Sequence, residues 1–80
     1  MSAFAEAVQR RVGERVRALR AERGMTQLRL AGRAGISRPS LANIEAGRQN
    51  VGVRALCALA EALGVRVEEL LTAPDESGPA

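Results

Sequence analysis

The sequence predicts an all-α domain, and three observations support this fold class. Apolar residues recur every three or four positions over most of the chain, which is the period of an amphipathic helix. No stretch has the strict alternation of apolar and polar residues that a half-buried strand shows. Glycines follow these apolar stretches, as helix-terminating residues often do. The length of 80 residues allows one small domain with a modest core.

The first helix is predicted to run to about Arg23, with Gly24 as its left-handed end. Gly13 lies inside this helix and is expected to cost about 1 kcal/mol relative to alanine. The apolar positions that define the helix are Phe4, Val8, Val12, Val16 and Leu19.

The next two predicted helices are short. Thr26 is the expected N-cap of a helix over residues 27–34, which ends at Gly35. Ser37 is the expected cap of the following helix, which Gly47 ends. Because a proline disfavours helical angles in the residue before it, this helix is expected to begin at Pro39. The inward positions of the two helices are Leu30, Ala31, Ala34, Leu41 and Ile44.

Two further helices complete the predicted domain, over residues 1–72. One ends at Gly64, and a short last helix covers residues 65–71. Residues 73–80 are polar and contain two prolines, so a disordered tail is expected there. The apolar positions of these helices are Val53, Leu56, Leu59, Ala60, Leu63, Val67, Leu70 and Leu71.

The composition excludes several classes of function. There is no histidine and one cysteine, Cys57, so neither a four-ligand Cys/His zinc site nor a Ser-His-Asp catalytic set fits in one chain. We therefore expect no metal, no cofactor and no enzymatic activity. The single aromatic residue, Phe4, cannot stack successive bases of a single strand. With no membrane-length apolar run and no signal-peptide pattern, a cytoplasmic protein without membrane contact is expected.

Charge is unevenly distributed along the chain. Residues 1–66 hold all twelve arginines and five glutamates, a net charge of +7, whereas residues 67–80 carry −4. A basic body favours a polyanionic partner, with nucleic acid favoured over membrane. Arginines that merely cover solvated helix faces are the alternative interpretation.

The spacing within residues 26–47 is the most informative feature. Two short helices joined by a turn of about three residues, Gly35-Ile36-Ser37, have the layout of a helix-turn-helix. The second helix of such a unit can lie in the major groove of DNA. The same layout also occurs in small helical bundles that bind no DNA.

Individual residues carry a more specific resemblance. The segments are Arg20–Gln27, Leu30-Ala31, Gly35-Ile36-Ser37-Arg38, Asn43–Arg48, Leu59–Val65 and Glu69–Leu71. Together they resemble the phage Cro/repressor-type (XRE-type) helix-turn-helix family over residues 12–71. The resemblance implies a five-helix bundle that binds double-stranded operator DNA, usually as a dimer on a palindromic site, and regulates transcription.

The resemblance also implies roles for three residues that support the recognition helix. Gln27 matches a glutamine that bonds a phosphate and braces the start of the recognition helix, although it could simply be a glutamine near an N-cap. Arg20 and Glu45 match an ion pair that ties the first helix to the third, and their role is structural.

On the recognition helix, the family's contact positions match Ser37, Arg38, Pro39, Ser40 and Asn43. Arg38 is expected to bond guanine, with a phosphate contact as the alternative. Asn43 fits adenine or a phosphate equally, Ser37 could be only a cap, and Ser40 is expected to touch a phosphate. Arg48, just past the helix, fits a sequence-independent phosphate contact.

Some residues depart from the family pattern. Arg29 replaces the acid of the capping box, and it could add a phosphate contact instead. Leu28 would then be an exposed apolar side chain. Gly52 occupies the usual serine position before the fourth helix, so that helix is expected to be weakly capped.

The expected partners are double-stranded DNA and a second copy of the chain, with no small-molecule effector evident. Cys57 is expected to be a buried or half-buried packing residue. A phage-type repressor, an antitoxin component and a restriction–modification controller all fit the size. A protein-interaction module that keeps the fold is the alternative function. Candidate dimer-interface positions, which could equally belong to the core, are Val65, Val67, Leu70 and Leu71.

Overall fold

The computed structural model describes residues 2–72, and within this range it contains five helices and no strand. The all-α prediction is therefore confirmed for the described residues, and the predicted tail at 73–80 lies outside them. The helices are α1 (Ala3–Glu22), α2 (Gln27–Ala34), α3 (Arg38–Glu45), α4 (Val53–Leu63) and α5 (Val67–Leu71).

Local signals fix both ends of α2 where the sequence predicts them. The Oγ1 atom of Thr26 accepts a hydrogen bond from the backbone N–H of Arg29 at 3.1 Å, so the N-cap forms without the usual acid. At the other end, Gly35 adopts a φ of 71°, a left-handed conformation that favours glycine. The helix is consequently limited to eight residues.

The starts of α3 and α5 differ from the sequence prediction. Helix α3 begins at Arg38, not at Pro39, because Ser37 Oγ accepts the backbone N–H of Ser40 at 3.1 Å and caps the turn. Proline fits in this first turn, where backbone N–H groups have no helical acceptor. Helix α5 begins at Val67 because the N–H of Val65 still bonds Ala60 at the end of α4, at 3.0 Å.

The core lies where the inward faces of all five helices meet. Helix α1 packs against α3 and α5, whereas α2 packs against α3 and α4. Apolar burial between these faces provides the main stabilisation of the bundle. The buried apolar residues are Val12, Val16, Leu19, Leu30, Ala31, Leu41, Ile44, Leu59, Ala60, Leu63 and Leu70.

Gly13 marks the closest approach of α1 to α3. It is buried, and a β-carbon built there would collide with the backbone carbonyl oxygen of Ile44. The carbonyl oxygen of Glu45 would lie 3.0 Å from the same atom. Absence of a side chain at position 13 therefore allows the end of α3 to lie directly on α1.

Two side chains outside the core bear on the sequence predictions. Cys57 is exposed, so its expected packing role is wrong. It lies on a flank of α4, about 100° around the helix from Leu56, because each residue advances the helix by 1/3.6 of a turn. Leu28 is 69% exposed, in agreement with the sequence-based expectation.

Candidate nucleic-acid interface

The helix-turn-helix unit consists of α2, the turn 35–37 and α3. Within the turn, the N–H of Ile36 bonds the carbonyl of Ala31 at 3.0 Å, which satisfies an otherwise free carbonyl at the end of α2. Ser37 then caps α3 through its own side chain. The first turn of α3 consequently lies at the surface, with Arg38 and Pro39 exposed.

An ion pair connects α1 to the end of α3. Arg20 Nε donates to Glu45 Oε2 at 2.7 Å, and Arg20 Nη2 donates to Glu45 Oε1 at 3.0 Å. The remaining Arg20 group, Nη1, donates to the carbonyl of Met25 at 2.8 Å. The guanidinium of Arg20 thus holds together the α1–α2 connection, through Met25, and the end of α3, through Glu45.

The Arg20–Glu45 pair is largely buried, and burial and hydrogen bonding have opposite effects on the pKa of Arg20. The Glu45 side chain is 4% exposed and that of Arg20 is 17% exposed. The hydrogen bonds to Glu45 raise the pKa of Arg20 above its ordinary value; burial opposes this, and the charge of Glu45 adds to it. Arg20 is therefore committed to the interior of the protein rather than available to DNA.

Gln27, the first residue of α2, bridges the two ends of α3. Its Nε2 atom donates to Glu45 Oε1 at 3.0 Å, and its Oε1 atom accepts from Arg38 Nη1 at 3.2 Å. Because Glu45 can only accept while ionised, this contact fixes which side of the amide faces Arg38. The contact with Arg38 agrees with the brace at the start of the recognition helix that the resemblance implies for Gln27, whereas the contact with Glu45 is not predicted from the sequence.

The loop after α3 contributes another contact, which the sequence does not predict. Gln49 Nε2 donates to Ser40 Oγ at 2.6 Å. The Ser40 hydroxyl still has its own hydrogen, so it can donate to an acceptor such as a phosphate oxygen. The sequence shows that the 47–50 loop is polar, but it does not show that Gln49 reaches Ser40, because this contact depends on how the loop folds back onto α3.

The remaining predicted contact residues lie at the end of α3 and on α2. Arg48 is exposed, and its backbone N–H bonds the carbonyl of Asn43, which is half-buried, at 2.9 Å. Arg29 is exposed on α2, and together with Arg23 and Arg33 it lines a recess near the end of α4. Arg29 is thus separated from the Gln27–Arg38 contact.

The candidate dimer positions divide into core and surface residues. Leu70 is completely buried in the core of its own chain, so its prediction as an interface residue is wrong. Val65 and Val67 are partly buried and pack against that core. Leu71 is 37% exposed and remains available to a partner.

Residues 2–72 contain no group of His, Cys, Asp and Glu side chains that could hold a metal ion. None of the helices in this range has both the length and the apolar character needed to cross a membrane.

Comparison with known proteins connects this geometry to a family. A family model described as helix-turn-helix matches residues 16–70. The immunity repressor protein of Bacillus phage phi105 is 45% identical over 60 residues, which are 75% of this chain and 42% of that repressor. The chain therefore spans less than half the length of this relative.

Two other proteins are matched over most of their own length. An uncharacterized HTH-type transcriptional regulator of Sinorhizobium fredii, y4dJ, is 44% identical over 66 residues, covering 82% of this chain and 86% of that protein. The restriction–modification controller protein C.AhdI from Aeromonas hydrophila superimposes with a TM-score of 0.77 at 34% identity. That match covers 80% of this chain and 97% of the controller. The chain therefore belongs to the helix-turn-helix family, in its phage Cro/repressor (XRE) type.

Proposed function

We propose that this chain is a sequence-specific regulator of transcription that binds double-stranded DNA with α3 in the major groove. The observation that carries the proposal is the double contact of Gln27, which bonds Glu45 on one side and Arg38 on the other. This contact orients the arginine at the start of α3 before DNA arrives. Preorganised side chains lose less conformational entropy on binding.

Charge supports the same function. Residues 1–66 carry +7, and Arg20 is the arginine among them that is consumed by a buried pair. Exposed arginines such as Arg38 and Arg48 remain to attract the phosphate backbone.

The proposed contacts fall into two groups. Arg38 reads guanine through O6 and N7, because its exposed guanidinium retains donors beyond the one given to Gln27. Asn43 reads a neighbouring base or holds a phosphate. Gln27, Ser40 and Arg48 contact phosphates and position the helix, as Ser37 and Pro39 shape its start. Arg29, on the flank of α2, adds a phosphate contact outside this set.

The chain binds as a homodimer on a palindromic operator in this proposal. A two-fold axis sets the two α3 helices about 34 Å apart, which is one turn of DNA. Each protomer then contacts one half-site with the same residues.

Selection of bound DNA from a random pool tests the proposal, with the wild type, Arg38→Ala and Gln27→Ala compared. Arg38→Ala should lose preference at one base pair, worth about 1–3 kcal/mol. Gln27→Ala should weaken binding to all selected sequences and relax the Arg38 preference. A wild type that enriches no sequence would contradict the proposed function.

A protein-interaction module is the second candidate, and the observation that favours it is the 69% exposure of Leu28 on α2. In a protein complex, this apolar side chain would be removed from water against the partner. This candidate predicts that Arg38→Ala changes nothing, whereas Leu28→Ala abolishes the interaction. The same selection experiment therefore separates the two functions.

A further inference from the structure

An apolar groove lies on the domain where the N-terminal turns of α1 meet the end of α5 and the segment that joins α3 to α4. Its volume is about 340 Å³, and Val8, Val51, Leu56 and Leu71 are among the residues that line it. None of the described residues that line it is charged, although 26% of the chain is charged. The lining of the groove is therefore less charged than the chain as a whole.

Phe4 lies at this groove and is 79% exposed. It is the single aromatic residue of the chain. The α1 part of the groove, with Phe4 and Val8, and Leu71 at its other side lie outside the matched family segment, 16–70. The groove is thus built largely by residues that this chain adds to the matched segment.

We propose that two copies of this chain pair through this groove, with Phe4 of each protomer entering the groove of its partner. The inference rests on the proposed function in one respect: a palindromic operator brings two copies together on adjacent half-sites. It differs from the sequence prediction of the interface, from which only Leu71 is retained.

The charge distribution favours a second copy of the chain as the occupant of the groove. Two copies of a body that carries +7 over residues 1–66 repel each other wherever their arginines meet, and the uncharged groove avoids that repulsion. An acidic peptide or a phosphate would instead favour the arginine-lined surfaces. A second copy presents a matching group, since the exposed ring of Phe4 adjoins the groove that would receive it and a two-fold axis makes both contacts at once.

Area indicates how strong the pairing is. A buried phenylalanine contributes about 150–250 Å². Two such rings and the apolar rims give an interface smaller than the roughly 1,600 Å² of a standard stable complex. We therefore expect a monomer–dimer equilibrium that depends on concentration and that a palindromic DNA shifts towards the dimer.

Phe4→Trp tests the contact directly, because the chain contains no tryptophan and no tyrosine. The variant would be titrated over protein concentration, alone and with palindromic DNA, while sedimentation velocity follows the dimer. The emission maximum should move to shorter wavelength as dimer forms. Leu28→Trp, at a position with similar exposure on α2, is the control for the titration without DNA and should show no shift there. A dimer that forms without any shift at position 4 would overturn the proposal.

Phe4→Glu provides the second measurement. Its dimer dissociation constant should rise at least about tenfold, which corresponds to about 1.4 kcal/mol. Affinity for a single half-site should be unchanged, whereas affinity for the full palindrome should fall. A wild type that remains monomeric at every concentration and on palindromic DNA would also overturn the proposal. If the wild type does not bind a half-site, the proposed function is contradicted instead. In that case, sedimentation velocity and the tryptophan emission of Phe4→Trp still test whether two copies pair through the groove.

Discussion

Gly13 on α1 and Ile44 on α3 pack backbone against backbone. A β-carbon at position 13 would collide with the carbonyl oxygen of Ile44, so the two helices can lie this close together only while position 13 has no side chain. The same contact holds Glu45 within reach of Arg20. A glycine that weakens α1 locally therefore makes possible the packing that positions the recognition helix.

Gly13→Ala should consequently destabilise the protein. Helix propensity alone favours alanine by about 1 kcal/mol, whereas overpacking costs about 1–3 kcal/mol. Because the neighbouring atom is a backbone oxygen that cannot rotate away, we expect a cost at the upper end of this range, which exceeds the gain in propensity. Urea unfolding followed by circular dichroism at 222 nm would measure the change. An increase in stability would show that α1 and α3 do not approach this closely.

Gly32→Ala is the matched control for that measurement. Gly32 also lies inside a helix, but a β-carbon there would meet no atom within 4 Å among the described residues. Its stability should therefore rise by about 0.5–1 kcal/mol. A loss of stability for Gly13→Ala together with a gain for Gly32→Ala would show that the close packing of α1 on α3, and not helix propensity, determines the effect at position 13.

The sequence predicts features that depend on near neighbours and misses those that depend on the packing of distant segments. Both ends of α2 follow from Thr26 and Gly35, which act within a turn of the helix that they limit. The bond from Gln27 to Glu45 joins residues 18 apart, so its existence depends on how α3 packs on α2. The expectation that Cys57 is buried or half-buried follows from the usual burial of free cysteines, but the side chain is exposed, because the face of α4 that packs on the other helices does not extend to it.

The Gly13 contact shows the same limit more sharply. In the sequence, a glycine in the middle of an amphipathic helix indicates only a loss of stability. Its benefit appears once Ile44 is known to lie opposite. The resemblance predicts which residues form the candidate interface, but the hydrogen bonds that join Gln27 to Glu45 and to Arg38 depend on the packing of the helices and are seen only in the structure.

Glu45→Gln should destabilise the protein by about 3 kcal/mol, because it leaves the charge of a largely buried arginine without its partner. The Glu45 side chain is 4% exposed and accepts from both Arg20 and Gln27. The amide of the introduced glutamine would also place an N–H group where Arg20 and Gln27 each need a hydrogen-bond acceptor. Urea unfolding measures the loss, and DNA binding below the unfolding transition should show relaxed base preference, since Gln27 is no longer oriented.

Glu68→Gln is the control for this charge removal. Glu68 pairs with Arg66 at 2.9 Å, but both side chains are mostly exposed. Exposed pairs contribute little to stability because water and salt screen them. A loss as large as that of Glu45→Gln would mean that burial does not explain the effect.

Gly52→Ser should stabilise the protein. Gly52 is the N-cap of α4, and no side chain caps this helix start. A β-carbon there would meet no atom within 4 Å among residues 2–72, so a serine fits and can accept a backbone N–H. The gain should be about 0.5–1 kcal/mol, from the cap and from the lower entropy of the unfolded chain. Thermal unfolding would register it as a midpoint about 2–8 °C higher, and Gly52→Ala, which cannot cap, should gain less.

Arg48→Ala should weaken DNA binding about equally for all sequences and reduce its salt dependence. Arg48 follows α3 on the surface, and its backbone N–H is fixed to the end of that helix through the carbonyl of Asn43. Loss of one phosphate contact lowers the slope of log K against log salt concentration by about 1. Fluorescence anisotropy with one operator at several salt concentrations measures this slope. Arg54→Ala removes the same charge from the surface of α4, outside the helix-turn-helix, and should leave the slope unchanged. Equal effects of both substitutions would indicate that net charge, rather than a positioned contact, determines the affinity.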